Sequence, residues 1–336
     1  MNSMLKANEW KVLRAASESL TIGDIVRKTG LKYYTVSRII RRLRQKIKIG
    51  FEPLYLKMGL LPIALITSKL QGEPPPFTRA TRKLRGKKGE FVLLTAVPPQ
   101  KYIEDFLTLI PGRIEYIVRG FRRLFWTPNA KLTLYVKEKG CLEPKIRELS
   151  NIIREQSYTI NIDSRDLDLP IEIDEIDLIP IWFKQTYAFL SLREISRLTR
   201  KYLRRVISHQ LLSYHFRKHV RKLWAGNYIG IYLDVRDYPF KVLLLEGRDA
   251  PRFAKALIEL PYFYRAYIEE DRALVTGQPT EAVETALKDI IKDLDVDLPF
   301  GELIMDPSLS KKVPPYIQYF KNGEWILPIE KPITTK

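Results

Sequence analysis

The sequence predicts an α+β protein in which a short helical unit and a small α/β unit each occur twice. Three observations support this fold class. Basic residues are concentrated in two separate segments, helix patterns with start and stop signals lie within those segments, and the second set of patterns repeats the first. The 336 residues suffice for two to four compact units, and 45% hydrophobic with 29% charged residues is typical of globular proteins.

The composition excludes several classes of protein. The single cysteine, Cys141, excludes a disulfide framework, a cysteine-ligated zinc site and an iron–sulfur cluster. No apolar run approaches the ~20 residues that span a bilayer. The first ten residues mix Lys6 and Glu9 with apolar residues, which argues against a signal peptide. We therefore expect a soluble, cytoplasmic protein without a membrane partner.

Positive charge is segregated along the chain, whose net charge is +18. Residues 1–60 have 13 basic and 4 acidic side chains, and residues 180–225 have 11 and 1. Residues 161–179 have seven acidic side chains against one arginine, and residues 226–336 have a net charge of −4. A solvated surface of the kind common in thermophiles explains the excess of basic residues but not this segregation. The two basic segments therefore indicate a protein that binds a polyanion.

The first two helices are predicted from apolar spacing and capping signals. Trp10 and Leu13 lie at helical spacing, and we expect this helix to end near Glu18. Thr21 is a good N-cap for the second helix, because its hydroxyl can accept a hydrogen bond from a free backbone N–H. Gly30 supplies the stop, since glycine adopts the left-handed conformation that ends many helices.

A third helix, from about Tyr33, has one apolar and one basic face. Its apolar stripe consists of residues spaced 4, 3 and 4 apart: Val36, Ile40, Leu43 and Ile47. The opposite face and its flanks carry the residues that we expect to contact DNA: Lys32, Tyr33, Tyr34, Ser37, Arg38, Arg41, Arg42 and Arg44. The alternating segment Lys46–Phe51 follows a turn and predicts a β-wing.

Three short helices with a glycine turn before the third are typical of a helix-turn-helix, whose last helix enters the major groove of DNA. Arginine can pair bidentately with guanine, while Ser, Thr and Tyr can reach phosphates or base edges. A helical hairpin that does not bind DNA is the alternative at this point.

The segment Thr21–Leu60 resembles the winged helix-turn-helix of Lrp/AsnC-type transcription regulators of archaea and bacteria. Its matching motifs are Gly30-Leu31, Thr35-Val36-Ser37-Arg38, Arg41-Arg42-Leu43 and the junction Met58-Gly59-Leu60 before the apolar run Pro62–Thr67. The resemblance covers roughly residues 5–70. It implies DNA binding and a following α/β domain of ferredoxin-like order that mediates oligomerisation. Members of this family often bind amino acids, so the resemblance also implies a small-molecule effector.

The same order of elements recurs in the second half. Ser191–Glu194 is a capping box, and Leu212–Lys218 aligns with Val36–Arg42 at an offset of 176. The offset is 170 at the preceding helix, so the second copy has extra residues in its turn, around Tyr202–His209. A second wing is predicted over Asn227–Asp234. The residues of this copy that we expect to contact DNA are Gln210, Ser213, Tyr214, Arg217, Lys218 and Arg221.

An α/β unit is predicted after each helix-turn-helix. The second has β-α-β-β-α order, with strands at 241–246, 262–269 and 272–277 and helices at 250–260 and 280–294. The first has strands at 62–70, 91–97 and 114–118 and helices around 77–85 and 101–110, so one expected strand is missing. This order is ferredoxin-like, as the resemblance implies.

The predicted architecture is therefore two winged helix-turn-helix domains, each followed by a small ferredoxin-like α/β unit. The winged helix-turn-helix domains cover residues 1–58 and 179–236, and the α/β units cover residues 59–140 and 237–336, the last with a C-terminal tail. Residues 141–178 form a connecting helix, Glu143–Gln156, and an acidic linker, Asp163–Asp177. Such a chain would be a monomer with an internal pseudo-dimer, or a homodimer, and would read two half-sites about one DNA turn apart.

The sequence offers little support for an enzyme, and we expect no cofactor and no metal. No phosphate-binding loop, nucleophile elbow or acidic metal loop is found. His215 and His219 have a metal-ligand spacing near His209, but no third ligand is evident in the sequence. The enzymatic alternative is a siroheme decarboxylase, because those enzymes resemble paired Lrp/AsnC-type units and are expected to use His or Arg on the sheet. Neither α/β unit contains a histidine, and Arg265 is the only obvious basic candidate.

The favoured function is a transcription regulator that binds double-stranded DNA through two recognition helices. A chromosome-architectural DNA-binding protein of low specificity is the main alternative. An RNA-binding protein is a further one, because an aromatic-rich strand could stack bases; its aromatic residues are Tyr262, Phe263, Tyr264 and Tyr267.

Overall fold

The computed structural model is an α+β structure built around one large antiparallel sheet, which confirms the predicted fold class at this level. It describes residues 5–70, 72–156, 171–306, 311–312 and 316–328. The described residues form ten α-helices, and none of these is both long enough and apolar enough to cross a membrane.

The N-terminal segment forms three helices and one strand: α1 (Ala7–Ser17), α2 (Ile22–Thr29), α3 (Tyr33–Leu43) and β1 (Lys48–Pro53). The Thr21 hydroxyl accepts a hydrogen bond of 3.2 Å from the backbone N–H of Asp24. Gly30 ends α2 in the left-handed conformation, with φ of +68°. The cap and the stop predicted from the sequence are thus confirmed.

The next segment supplies one half of the sheet: β2 (Ile63–Thr67), β3 (Thr78–Gly86), β4 (Gly89–Ala96), α4 (Ile103–Thr108) and β5 (Ile114–Arg119). The helix predicted around 77–85 is wrong, because these residues form β3. A register shift between Thr78 and Ala80 leaves Ala80 and Thr81 both buried, and the alternation that marks a strand is lost there. This half therefore has four strands and lacks a helix between the first two, rather than lacking a strand.

A connecting segment follows: β6 (Arg122–Phe125), β7 (Thr133–Val136), β8 (Cys141–Pro144) and α5 (Leu149–Glu155). The helix predicted over Glu143–Gln156 is shorter than expected, because Cys141–Pro144 pairs with β7 instead. Residues 163–170 of the predicted acidic linker lie outside the described residues.

A second set of three helices and a strand comes next: α6 (Glu175–Thr186), α7 (Leu192–Leu203), α8 (His209–Lys218) and β9 (Trp224–Gly230). The predicted capping box of α7 is confirmed, since Ser191 and Glu194 each accept a hydrogen bond from the other's backbone N–H. The Asp174 side chain caps α6, so this helix begins within the predicted acidic linker and runs across the boundary placed at residue 178.

The C-terminal segment completes the sheet: β10 (Lys241–Glu246), α9 (Ala250–Leu257), β11 (Phe263–Ile268), β12 (Arg272–Gly277), α10 (Glu281–Ile291) and β13 (Leu303–Met305). All five elements predicted here are confirmed. Three two-residue strands follow: β14 (Lys311–Lys312), β15 (Phe320–Lys321) and β16 (Glu324–Trp325).

The large sheet has the strand order β5-β2-β4-β3-β13-β10-β12-β11-β6. The two halves have the same strand order. In the first half, β2 lies between β5 and β4, and β3 lies beside β4. In the second half, β10 lies between β13 and β12, and β11 lies beside β12. The halves join where β13 pairs with β3, with Ile304 opposite Arg85. Although β5 and β6 are at opposite ends of this order, only Gly120 and Phe121 separate them along the chain. The sheet therefore curls until its two edges approach each other.

Both faces of the curled sheet are buried. On β2, Ala64 and Ile66 belong to an inner apolar cluster that also contains Val242 and Leu244 of β10. The alternate residues of these strands lie on the outer face of the sheet, where they belong to two apolar clusters that also include residues of the surrounding helices. Burial on both faces explains why these strands read as continuous apolar runs in the sequence.

The strands β1 and β9 pair with each other to form a separate antiparallel ribbon, with Lys48 opposite Gly230 and Gly50 opposite Tyr228. The prediction of two wings is therefore wrong for these strands, because most of the ribbon is buried and each strand pairs with the other copy. An antiparallel pair of equivalent strands has a local two-fold axis, so the ribbon relates the two helical units by an approximate two-fold.

Candidate nucleic-acid interface and arginine-lined cavity

The basic face of α3 is exposed, and its apolar stripe is buried. Tyr33 and Tyr34 are 60% and 74% exposed, whereas Val36 and Ile40 on the other side are within the core. All five predicted cations of this copy are exposed as well: Lys32, Arg38, Arg41, Arg42 and Arg44. The core thus anchors the helix on one side, while aromatic and cationic groups suited to phosphates and base edges project on the other.

Two arginines predicted on this face are engaged within the protein. A nitrogen of Arg42 lies 2.7 Å from the buried carboxylate of Glu9 on α1. The guanidinium of Arg44 lies 4.3 Å from the centre of the Tyr187 ring, a cation–π contact. These contacts fix α3 against its neighbours. In the part of the chain that the structure describes, Arg38 and Arg41 form no ion pair and remain the cations best placed for an external anion.

The corresponding face of α8 is exposed as well. Tyr214 is 50% exposed, Ser213 is half-buried, and Leu212 and Phe216 on the other side are buried. Four further predicted residues are exposed: Gln210, Arg217, Lys218 and Arg221. All six residues predicted to contact DNA in this copy are therefore at least partly exposed.

The longer turn of the second copy is an ordered link between α7 and α8. Its first residue, Arg204, has a φ of +54°, and Val206 is 76% exposed. The link is fixed at its end, because the Ile207 carbonyl accepts a hydrogen bond of 2.5 Å from the Ser196 hydroxyl and the Ser208 hydroxyl caps α8.

A buried carboxylate joins α6 to α8. The Nδ1 atoms of His215 and His219 lie 3.0 and 2.8 Å from the two oxygens of Asp177, whose side chain is completely buried. These three residues have the donor set of a cation site, with ligand atoms within 4.8 Å of one another. The sequence did not reveal Asp177 as a partner, because it lies on another helix. The backbone N–H of Asp174 also donates to this carboxylate, so its oxygens are satisfied by hydrogen bonds.

A cavity of about 830 Å³ lies between the β1–β9 ribbon, the end of α6 and the inner face of the curled sheet. Both halves of the sheet contribute to it, as do both strands of the ribbon. Its walls are strongly aromatic, and the five tyrosines among them are Tyr55, Tyr228, Tyr232, Tyr264 and Tyr267.

Five cations line this cavity against one carboxylate. The carboxylate is Glu52, which is buried and forms an ion pair with Arg123; a nitrogen of Arg265 lies 3.6 Å from its other oxygen. Arg79 donates to the side-chain oxygen of Gln185 at 2.9 Å. The remaining cations are Lys48 and Arg82. The lining therefore combines five cationic side chains with one carboxylate.

Several of these cations lie over the faces of tyrosine rings and form cation–π contacts. The guanidinium of Arg265 lies 4.5 Å from the centre of the Tyr228 ring, and Lys48 lies 5.5 Å from the same ring. Arg123 lies 5.4 Å from the rings of both Tyr55 and Tyr267. Burial disfavours the charged form of Arg123, but Glu52, Tyr267 and Tyr55 together outweigh burial and raise its pKa.

Arg82 is the cation with the poorest compensation. In the described parts of the chain it forms no ion pair and no hydrogen bond, and its electrostatic neighbours are Tyr267 and Tyr232. Burial lowers the pKa of its guanidinium, because desolvation disfavours the charged form.

The cavity was missed in the sequence for a specific reason. Arg79 and Arg82 lie on β3, which was predicted as a helix, so Arg265 alone was identified as a basic residue of the sheet. The aromatic residues of β11 were considered as a surface for RNA, but Tyr264 and Tyr267 face the cavity and Phe263 is buried in the outer core. The signal that could have revealed the site is the pair Arg265 and Tyr267, which are two residues apart and therefore lie on one face of β11.

No protein family, curated protein or solved structure shows a significant match to this chain.

Proposed function

We propose that this protein is a DNA-binding transcription regulator that presents α3 and α8 to one duplex. In this proposal α1–α3 and α6–α8 are helix-turn-helix units of the Lrp/AsnC type, and the two halves of the sheet are its ferredoxin-like units. One observation carries the proposal: two helices at equivalent positions each have a buried apolar stripe and an exposed face of arginine, lysine and tyrosine.

Charge supports a nucleic-acid partner for these faces. The exposed residues predicted to contact DNA on α3 and α8 include no carboxylate. Near α3, the carboxylate of Asp24 takes part in the capping of α2, and that of Glu9 forms an ion pair with Arg42. An unneutralised basic surface attracts phosphates and releases the counterions condensed on DNA. Exposed tyrosines beside the arginines add hydrogen-bond donors for phosphates or base edges.

The β1–β9 ribbon supports a target with two half-sites. Because the ribbon relates the two helical units by an approximate two-fold axis, α3 and α8 suit half-sites in inverted orientation. The two faces are not identical, since Arg38 and Arg41 on α3 correspond to Tyr214 and Arg217 on α8. We therefore expect half-sites of unequal sequence.

The test is selection of genomic fragments on the full chain, followed by salt titration with the enriched duplex and a random one. We expect a short motif of two half-sites that stays bound at salt concentrations that release random duplex. Arg38→Ala with Arg41→Ala should weaken binding to the enriched duplex by about tenfold or more, since each base contact is worth ~1–3 kcal/mol.

Lys137→Ala with Arg147→Ala is the matched control, because it removes two exposed cations that lie outside both faces. This control should bind like the wild type. If the α3 variant weakens both duplexes equally and gives a shallower salt slope, these arginines contact phosphates and the base-reading assignment is wrong. Uniform binding of all fragments would indicate a chromosome-architectural role, and no binding at low salt would refute the proposal.

A further inference from the structure

Two histidines on α8 face a carboxylate that is completely buried. His215 and His219 are four residues apart, so both side chains lie on the same side of the helix. Their Nδ1 atoms lie 3.0 and 2.8 Å from the two oxygens of Asp177 on α6. Among the described residues, these histidines are the only basic side chains that pair with this carboxylate. The cluster is therefore built entirely from groups that can also be metal ligands.

Asp174 brings a second carboxylate to the same place. One of its oxygens caps α6 by accepting hydrogen bonds from the backbone N–H groups of Ile176 and Asp177. Its other oxygen takes no part in the cap and lies 3.3 Å from Nδ1 of His215. Four side chains with oxygen or nitrogen donors therefore meet between the start of α6 and the end of α8.

The separations between these donor atoms suit a small metal ion. Zinc holds nitrogen and oxygen ligands at ~2.0–2.1 Å, so the ligand atoms of a tetrahedral site lie about 3.3 Å apart. The distances of 2.8–3.3 Å from the imidazole nitrogens to the carboxylate oxygens are close to this value. The ligand atoms of Asp177, His215 and His219 all lie within 4.8 Å of one another, so they need to draw together by at most ~1.5 Å.

Metal binding replaces hydrogen bonds of the cluster and leaves its groups paired. An ionised carboxylate only accepts hydrogen bonds, so each Nδ1 that faces Asp177 carries a proton. When a cation takes the Nδ1 lone pair, the proton passes through solvent to Nε2 of the same ring, and the imidazole stays neutral. The backbone N–H of Asp174 keeps its hydrogen bond of 2.9 Å to the Asp177 carboxylate and orients this ligand.

We propose that Asp174, Asp177, His215 and His219 bind one zinc ion in a tetrahedral site that fastens α8 to α6. Imidazole nitrogen and carboxylate oxygen are ligands that zinc accepts, and one divalent cation balances the two carboxylates. Four protein ligands close the coordination sphere, which is typical of a structural site. The inference does not depend on DNA binding, since none of the four ligands belongs to the faces predicted to contact DNA.

The experiment uses the full-length chain after removal of metal by a chelator. Zinc is titrated in competition with the chromogenic chelator 4-(2-pyridylazo)resorcinol, and we expect one tightly bound zinc ion per chain. Cobalt(II) in place of zinc should give the intense visible absorption of a tetrahedral complex. Zinc should also raise the melting temperature, because the unfolded chain does not hold the four ligands together.

Two variants remove one ligand each. His219→Gln removes the more exposed imidazole, and Asp174→Asn keeps the oxygen that caps α6 but removes the second carboxylate oxygen. Each should weaken zinc binding by about tenfold or more and abolish the tetrahedral cobalt absorption. His209→Gln is the matched control, because it removes a histidine of α8 that lies outside the cluster. It should bind zinc like the wild type.

Melting curves in the presence of the chelator establish that each variant folds, and Asp174→Asn decides the test if His219→Gln does not. A cluster that serves only as a set of hydrogen bonds would leave the wild type without zinc binding and without a zinc-dependent melting temperature, and either result would overturn the proposal. Wild-type affinity in a folded ligand variant, or an equal loss in His209→Gln, would place the zinc ion elsewhere and would also overturn it. Displacement of zinc by an equal concentration of magnesium would show that carboxylates alone bind the cation, and the role assigned to the histidines would be wrong.

Discussion

Lys184 on α6 has an environment that makes its ionisation depend on folding. Its side chain is buried, and its amino group donates hydrogen bonds of 2.7 and 2.9 Å to the carbonyls of Ala188 and Leu190. The amine also lies 5.2 Å from the centre of the Phe216 ring of α8. Burial lowers the pKa of Lys184 to about 8, because the carboxylate of Glu194 compensates only in part for the lost hydration of the charged form.

We expect Lys184 to make stability rise with pH in a defined window. The unfolded chain keeps this lysine protonated up to ~10.4, whereas the folded chain releases the proton above about 8, so the unfolded state binds more protons in between. The free energy of unfolding of the wild type, relative to Lys184→Met, should therefore increase from pH 8 to 10.5, by at most ~3 kcal/mol. Urea unfolding at several pH values measures this difference, and a constant or falling difference would contradict the assignment.

At the scale of elements, local signals determined what could be predicted. The helices α2, α3 and α7 were found from the sequence because Thr21, Gly30 and Ser191 act on backbone groups within a few residues. Strand β3 could not be found, because its bulge removes the alternation and its burial depends on β4 and β13. The pairing of β1 with β9 was equally inaccessible, since its partners lie about 180 residues apart and no local pattern encodes them.

The ribbon makes a prediction at this scale. A Cβ at Gly50 would lie 2.3 Å from the ring of Tyr228 and 2.6 Å from the carbonyl oxygen of Gln185. Gly50→Ala should therefore force the strands and α6 apart and lower the free energy of unfolding by ~1–3 kcal/mol. Gly23→Ala is the control, because a Cβ there meets only Thr21 at 3.6 Å and alanine favours the helix by up to ~1 kcal/mol. Chemical denaturation measures the free energy of unfolding of each variant. Equal stability of both variants would show that the ribbon accommodates the added methyl group without loss of stability.

At the scale of the whole molecule, both halves of the sheet and both strands of the ribbon contribute residues to one cavity. The cavity needs Arg79 and Arg82 from one half of the sheet, Arg265 from the other, and Glu52 and Tyr228 from the two strands of the ribbon. The exposed faces of α3 and α8 were predictable because each is a property of one helix, whereas the cavity arises only from assembly.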